Sequence, residues 1–201
     1  HNQRMAHYAQ VISWGLYLPT AQYPLLLQAA PMHDVGKIAI RDDILLKPGK
    51  LTDEEFELMK RHALFGYELL KDSGSEVLQA GAEIARTHHE KYDGSGYPAG
   101  LKGRDIPLFG RIVAVADVFD ALTSERPYKK TWPLEEALQY LENGRSKHFD
   151  PLCVEAFLAG WEDILDIRQR FQDETSAQGS GANPEFVDHD LDLHTFKSSG
   201  S

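Results

Sequence analysis

Apolar residues recur along this chain at helical rather than strand spacing. Over residues 3–17, Met5, Tyr8, Ala9, Ile12 and Leu16 lie close to one helical face. Residues 25–32 form an apolar run that predicts a second helix leading into "HDVGK". "IRDDILLKPGK" follows as a connector, with Pro48-Gly49 as its turn. The next helix has a clear start. Thr52 suits the N-cap and Glu55 falls at N3, the pattern of a capping box. Asp53, Glu54 and Glu55 complement the positive end of that helix, and Leu58, Met59 and His62 share its face. Val77, Leu78, Ile84 and Ala85 predict a helix over 75–90. "GRIVAVADVFDAL" at 110–122 is apolar nearly all round, as a central buried helix would be. Pro133 opens a helix to about Leu141, and Asp150-Pro151 opens a last one to about Phe171. No internal repeat and no strong strand alternation interrupts this pattern.

From Gln172 onward periodicity gives way to Gly, Ser, Asp and Asn, which predicts a polar tail over 172–201. The expected fold is therefore all-α, one domain of about five to eight helices over 1–171. A chain of 201 residues with 42% hydrophobic and 26% charged residues can build such a core. The single cysteine, Cys153, rules out an internal disulfide and fits a reducing, cytoplasmic compartment. No apolar run reaches the roughly 18 residues of a membrane-spanning helix. The chain opens abruptly at His1 with no initiator Met, as a domain cut from a longer protein does. A net charge of −10 argues against binding nucleic-acid polymers, which requires a basic surface. It does not count against a small phosphorylated ligand, because bound metals reverse the local field.

The candidate chemistry lies in His33-Asp34, His62, His88-His89 and Asp117, each of which follows or interrupts an apolar helical face. Asp117 stands within "VAVADVF" with no local partner, and a buried carboxylate is costly unless paired or metal-bound. The adjacent pair His88-His89 is unusual, since neighbouring helical side chains diverge by about 100°. Imidazoles and carboxylates without thiolates suit divalent ions such as Mn, Fe, Co, Ni or Zn. A carboxylate such as Asp34 can bridge two ions, and paired ions activate water at phosphorus. His7 and His148 are read as core histidines, and His189 and His194 as solvated residues of the tail.

"HDVGK" followed by "HHEKYDGSGYP", "RIVAVADVFDALTSERPYK" and "HFDPLCVEAF" resembles the HD-GYP family, a subgroup of the HD-domain metal-dependent phosphohydrolases. The resemblance covers about residues 1–160. It implies a single HD-type helical bundle that hydrolyses the bacterial second messenger cyclic di-GMP to pGpG, GMP or both. It also implies two or three divalent transition metal ions. His33 and Asp34 would be ligands with Asp34 bridging, Asp117 would share the ion of His33, and His62, His88 and His89 would hold the second. His1 matches a further histidine that binds an additional or shared metal. Lys37 matches a lysine that polarises the scissile phosphate, which with Asp34 makes up the catalytic pair. Tyr97 would shape the substrate pocket, and Arg126 and Lys129 would contact the ligand. Asp120 would orient a ligand or a water, or simply cap a helix or form a salt bridge. Expected partners are an upstream receiver or sensor domain and a diguanylate cyclase engaged through the GYP surface. The rival readings are a phosphohydrolase acting on pGpG or a mixed cyclic dinucleotide, and a sensor that binds without turnover.

Overall fold

The computed structural model describes residues 1–125 and 130–178. Among these it contains ten α-helical segments and three short 3-10 segments, with no strand. The helices are α1 Asn2–Gly15, α2 Gln22–Ala29, α3 Asp42–Leu45, α4 Asp53–Lys60, α5 His62–Leu70, α6 Glu76–Thr87, α7 Leu108–Thr123, α8 Leu134–Asn143, α9 Pro151–Ala159 and α10 Trp161–Gln178. The all-α expectation holds. The segments outnumber the five to eight expected because long apolar patterns are cut where a turn is needed.

Three cuts have local causes. The run at 25–32 starts earlier, at Gln22, and tightens into a 3-10 turn, Ala30–Met32, around Pro31. Arg61 closes α4, so His62 begins a new helix rather than extending the old one. The helix expected from Asp150 to Phe171 is two helices. Gly160 ends α9, and α10 then continues past Phe171 to Gln178. The connector after "HDVGK" also contains the helical turn α3. Residues 179–201, including His189 and His194, lie outside the described residues.

The capping box forms as expected. The Glu55 N–H donates to the Thr52 hydroxyl, and the Thr52 N–H donates to the Glu55 carboxylate. The Asp150 carboxylate caps α9 by accepting from the Leu152 N–H at 2.9 Å. Helix α7 is central, with residues such as Ile112, Val115 and Phe119 fully buried. Its Phe119 meets Tyr8 of α1 edge-on at 5.4 Å and Phe157 of α9 at 4.8 Å. The α1 face expected from Met5, Tyr8, Ala9 and Ile12 is buried in this core. A second, smaller cluster of Ile40, Ile44, Leu45 and Met59 packs α3 and α4 together beside the site.

One close approach sets the site's geometry. A Cβ on Gly36 would lie 1.9 Å from the His62 carbonyl oxygen and 2.4 Å from the Gly66 nitrogen. Only glycine lets the 3-10 turn Val35–Ala39 press against α5 there. His33 and Asp34 are thereby carried up to His62.

Candidate metal centre

Three histidines stand just past helix ends. His33 follows the turn Ala30–Met32, His62 lies two residues past the end of α4, and His88 follows α6. Each turns its Nδ1 toward a main-chain carbonyl: Ala30 at 3.0 Å, Met59 at 2.7 Å, and Ile84 and Ala85 at 3.0 and 3.1 Å. A carbonyl can only accept, so Nδ1 carries the proton in all three. The Nε2 atoms then present lone pairs inward, which is the arrangement of a metal-binding histidine.

Those lone pairs converge on Asp34. His62 and His88 place Nε2 at 3.4 and 3.6 Å from Asp34 Oδ1, and His33 places Nε2 at 3.4 Å from Oδ2. His89 Nε2 lies 3.1 Å from His62 Nε2. The rings of His88 and His89 are 3.9 Å apart, so the adjacent pair faces one centre despite its angular offset. On the other side, Asp117 of α7 stands 3.5 Å from His33 Nε2 and 3.6 Å from His1 Nε2. Two groups result, Asp34 with His62, His88 and His89, and His1 with His33 and Asp117. Within each, the donor atoms lie within 4.8 Å of one another.

The residues fit a cation on physical grounds. His33 Nε2, His88 Nε2 and Asp34 Oδ1 are buried without a hydrogen-bond partner. Leaving such atoms unsatisfied is expensive, and here they point at common centres. Electrostatics agree. Burial alone would raise the Asp34 carboxyl, but the Lys37 ammonium and the His33 ring hold it well below the usual carboxylate range. Asp117 is likewise held down against burial by His33 and His1. Burial, with His88 and His62 beside it, keeps His89 well below the ordinary imidazole value and hence neutral.

Around this cluster stands a supporting layer. Lys37 is buried and donates to Asp34 Oδ2 at 2.8 Å. Asp120, fully buried, pairs with His1 Nδ1 and with the Arg4 guanidinium, whose Nη2 lies 3.1 Å from Oδ2. The salt-bridge role expected for Asp120 is thus met, and the same carboxylate contacts the His1 ring. Against burial, the Asp117 and Asp120 carboxylates raise His1 to about 9. The sequence reading missed Arg4, although it stands three residues after His1 on the same helical face. It also missed Glu90, a buried carboxylate directly after the histidine pair. Tyr97 stacks on His89. Arg126 and Lys129 lie outside the described residues. His7 and His148 belong to neither donor group; the His7 ring lies tilted against Phe171, and His148 stacks on Phe149.

Residues 1–152 match the family model described as HD domain. The chain belongs to the HD domain family. The HD-GYP resemblance holds among its relatives. The chain is 51% identical over 177 residues to the cyclic di-GMP phosphodiesterase response regulator RpfG of Xanthomonas campestris, covering 88% of this chain and 47% of the relative. It is 56% identical over 153 residues to a cyclic di-GMP phosphodiesterase of Thermotoga maritima, covering 76% and 42%. It thus spans less than half of these relatives' length. A solved structure of a cyclic GMP-AMP specific phosphodiesterase of Vibrio cholerae matches with a TM-score of 0.63 at 23% identity, covering 94% of this chain and 51% of that one, a likeness of fold. Among the described residues no helix is long and apolar enough to cross a membrane.

Proposed function

We propose that this domain is a metal-dependent phosphodiesterase that hydrolyses cyclic di-GMP to pGpG, GMP or both. The observation that carries the reading is the convergence of buried, unsatisfied imidazole nitrogens on Asp34, with Lys37 alongside. His33, Asp117 and His1 would hold one divalent transition ion, and Asp34, His62, His88 and His89 a second. The contact of Asp34 Oδ2 with His33 supports a bridging role, and a third ion near His1 remains part of the proposal. The all-N,O donor set favours Fe, Mn, Co, Ni or Zn. When bound, such ions supply Lewis acidity and an activated water for attack at phosphorus.

The chain's own groups do the rest. The main-chain carbonyls behind His33, His62 and His88 hold the Nδ1 proton and leave Nε2 as the nitrogen that faces the centre. The Lys37 ammonium, beside Asp34, is available to neutralise charge that develops on a phosphoryl oxygen. Asp120 and Arg4 hold His1 against Asp117. Arg126 and Lys129 remain the proposed contacts to the second phosphate or a guanine edge, for which a guanidinium's planar fork is suited. The names of the Xanthomonas and Thermotoga relatives support cyclic di-GMP as substrate. The response-regulator name of the former supports a receiver domain upstream. A cytoplasmic location and a diguanylate cyclase partner belong to the same proposal.

The test is turnover of cyclic di-GMP, pGpG and 3′3′-cyclic GMP-AMP by protein loaded with Mn or Fe, alongside Asp34→Ala. Hydrolysis of cyclic di-GMP that disappears in Asp34→Ala is expected. Wild-type turnover by Asp34→Ala would refute the assigned ligand set. Binding without turnover by the loaded wild type would make the protein a sensor, and a preference for the mixed dinucleotide would reassign the substrate.

A further inference from the structure

The loop after His88-His89 is tied back onto the helix end that carries them. Glu90 is 2% exposed, and its two carboxylate oxygens accept the N–H groups of Ala99 at 2.7 Å and Leu101 at 2.9 Å. A buried carboxylate that accepts two main-chain N–H groups is a strong local anchor. The loop so closed is tight. A Cβ on Gly96 would fall 2.3 Å from the Lys91 nitrogen and 2.4 Å from the His89 carbonyl oxygen. The Tyr97 N–H donates to that same carbonyl at 3.2 Å. The outcome is the placement of one ring. Tyr97 stacks on His89 with centroids 4.8 Å apart and planes 20° from parallel. Phe56 meets Tyr97 edge-on at 6.3 Å, and the Lys60 ammonium lies 5.6 Å from its centroid.

We propose that Tyr97 is a positioning residue for His89 rather than a substrate contact, and that Glu90 is the latch that sets it. The inference rests on the metal-centre reading above. A flat ring lying parallel to an imidazole blocks rotation about its Cβ–Cγ bond, so His89 Nε2 stays turned toward His62 and Asp34. The stacking is made by the ring, which phenylalanine keeps.

The experiment compares wild type, Tyr97→Phe, Tyr97→Leu and Glu90→Gln for Mn and Zn affinity by chelator competition. Metal-free melting reports folding, and kcat and KM for cyclic di-GMP are measured in parallel. Tyr97→Leu is expected to weaken the tighter-responding site about tenfold, as loss of a ligand's supporting partner does, while Tyr97→Phe stays within about twofold. Loss of kcat with KM unchanged accompanies the Leu variant. Glu90→Gln, which turns one acceptor oxygen into a donor facing an N–H, weakens metal binding in the same direction. Unchanged metal affinity in Tyr97→Leu with a raised KM would overturn the proposal and restore the substrate-lip role. If Tyr97→Leu does not fold, Glu90→Gln decides, and wild-type metal affinity there overturns the latch. A wild type that binds metal but hydrolyses no cyclic dinucleotide defeats the functional reading alone, because the chelator comparison still decides the role of Tyr97. A wild type that binds no metal defeats both.

Discussion

Gly36→Ala adds one methyl group at the closest backbone approach in the site. The added methyl would stand 1.9 Å from the His62 carbonyl oxygen, whereas ordinary contact begins at 3.4 Å. The turn Val35–Ala39 and α5 must therefore separate by about 1.5 Å, and both obstacles are backbone, so no side chain can swing aside. Overpacking of this kind costs about 1–3 kcal/mol, a melting decrease of roughly 5 °C for a domain of this size. The effect on the centre is sharper. Two donors on one ion with bonds of about 2.0–2.2 Å cannot lie more than about 4.2 Å apart. Asp34 Oδ1 and His62 Nε2 are 3.4 Å apart. If half the separation reaches that pair, it arrives at about 4.2 Å, the limit of a shared ion. Gly36→Ala should therefore fold, melt lower and retain less metal after Mn loading and desalting, read by elemental analysis. A variant with wild-type melting and wild-type metal content would refute the close-approach argument.

Three further substitutions, two at Arg4 and one at His148, test the Arg4 ion pair and the pH response. Arg4→Ala leaves the fully buried Asp120 with His1 as its remaining cationic partner, and should cost about 3 kcal/mol in urea unfolding. Arg4→Lys should recover only part of that loss, since one ammonium cannot reproduce the guanidinium's contacts to both Asp120 and Ser124. His148→Phe addresses pH. Burial of the ring, with Lys91 nearby, pushes His148 from 6.5 down to about 3. The unfolded chain then binds this proton more readily, so the stability it contributes is full above about pH 6.5 and falls as pH drops toward 3. Between pH 7 and 5 this amounts to up to about 2 kcal/mol. His148→Phe keeps the ring against Phe149 and removes the titration, so its unfolding free energy should fall less than wild type's over that interval. An identical acid response in the two proteins would refute the assignment.

What could be read from the sequence was whatever depends on chain order. The face of α1, the capping box at Thr52 and the apolar run of α7 are local patterns, and each holds in the structure. The grouping of His33, Asp34, Asp117 and the three other histidines was legible through motif order, and the structure brings those residues together. Cuts such as Arg61 and Gly160 were not legible, because apolar periodicity runs through them and only packing reveals the turn. Gly160 has a tertiary cause in part: a Cβ there would lie 2.3 Å from a Val11 methyl of α1. Glu90 and Arg4 carried weak signals, a carboxylate before a glycine-rich loop and a cation one turn from a histidine. Neither signal names its partner, since Ala99 and Leu101 are reached only once the loop closes and Asp120 lies 116 residues away from Arg4.

The histidines stand at helix ends for a reason that joins folding to chemistry. The last carbonyls of a helix have no intrahelical donor. A histidine placed there can satisfy one with Nδ1–H, and the planar ring then aims Nε2 away from the helix it caps. Ala30, Met59 and Ile84 provide the end-of-helix carbonyls that engage Nδ1 of His33, His62 and His88, and those of Ala30 and Ile84 also accept the N–H of the same histidine. The negative ends of α4 and α6 also favour a cation beyond them. One residue type thus bonds to the backbone, fixes its own tautomer and turns its second ring nitrogen inward. The cost is that His33 Nε2, His88 Nε2 and Asp34 Oδ1 are buried without hydrogen-bond partners. A cation at the shared centre removes that cost, whereas a purely structural histidine at a helix end gains nothing by facing three others. "MHDV", "RHAL" and "THHE" each straddle a helix boundary, where the imidazole reaches back to a carbonyl three or four residues earlier and still faces out of the helix.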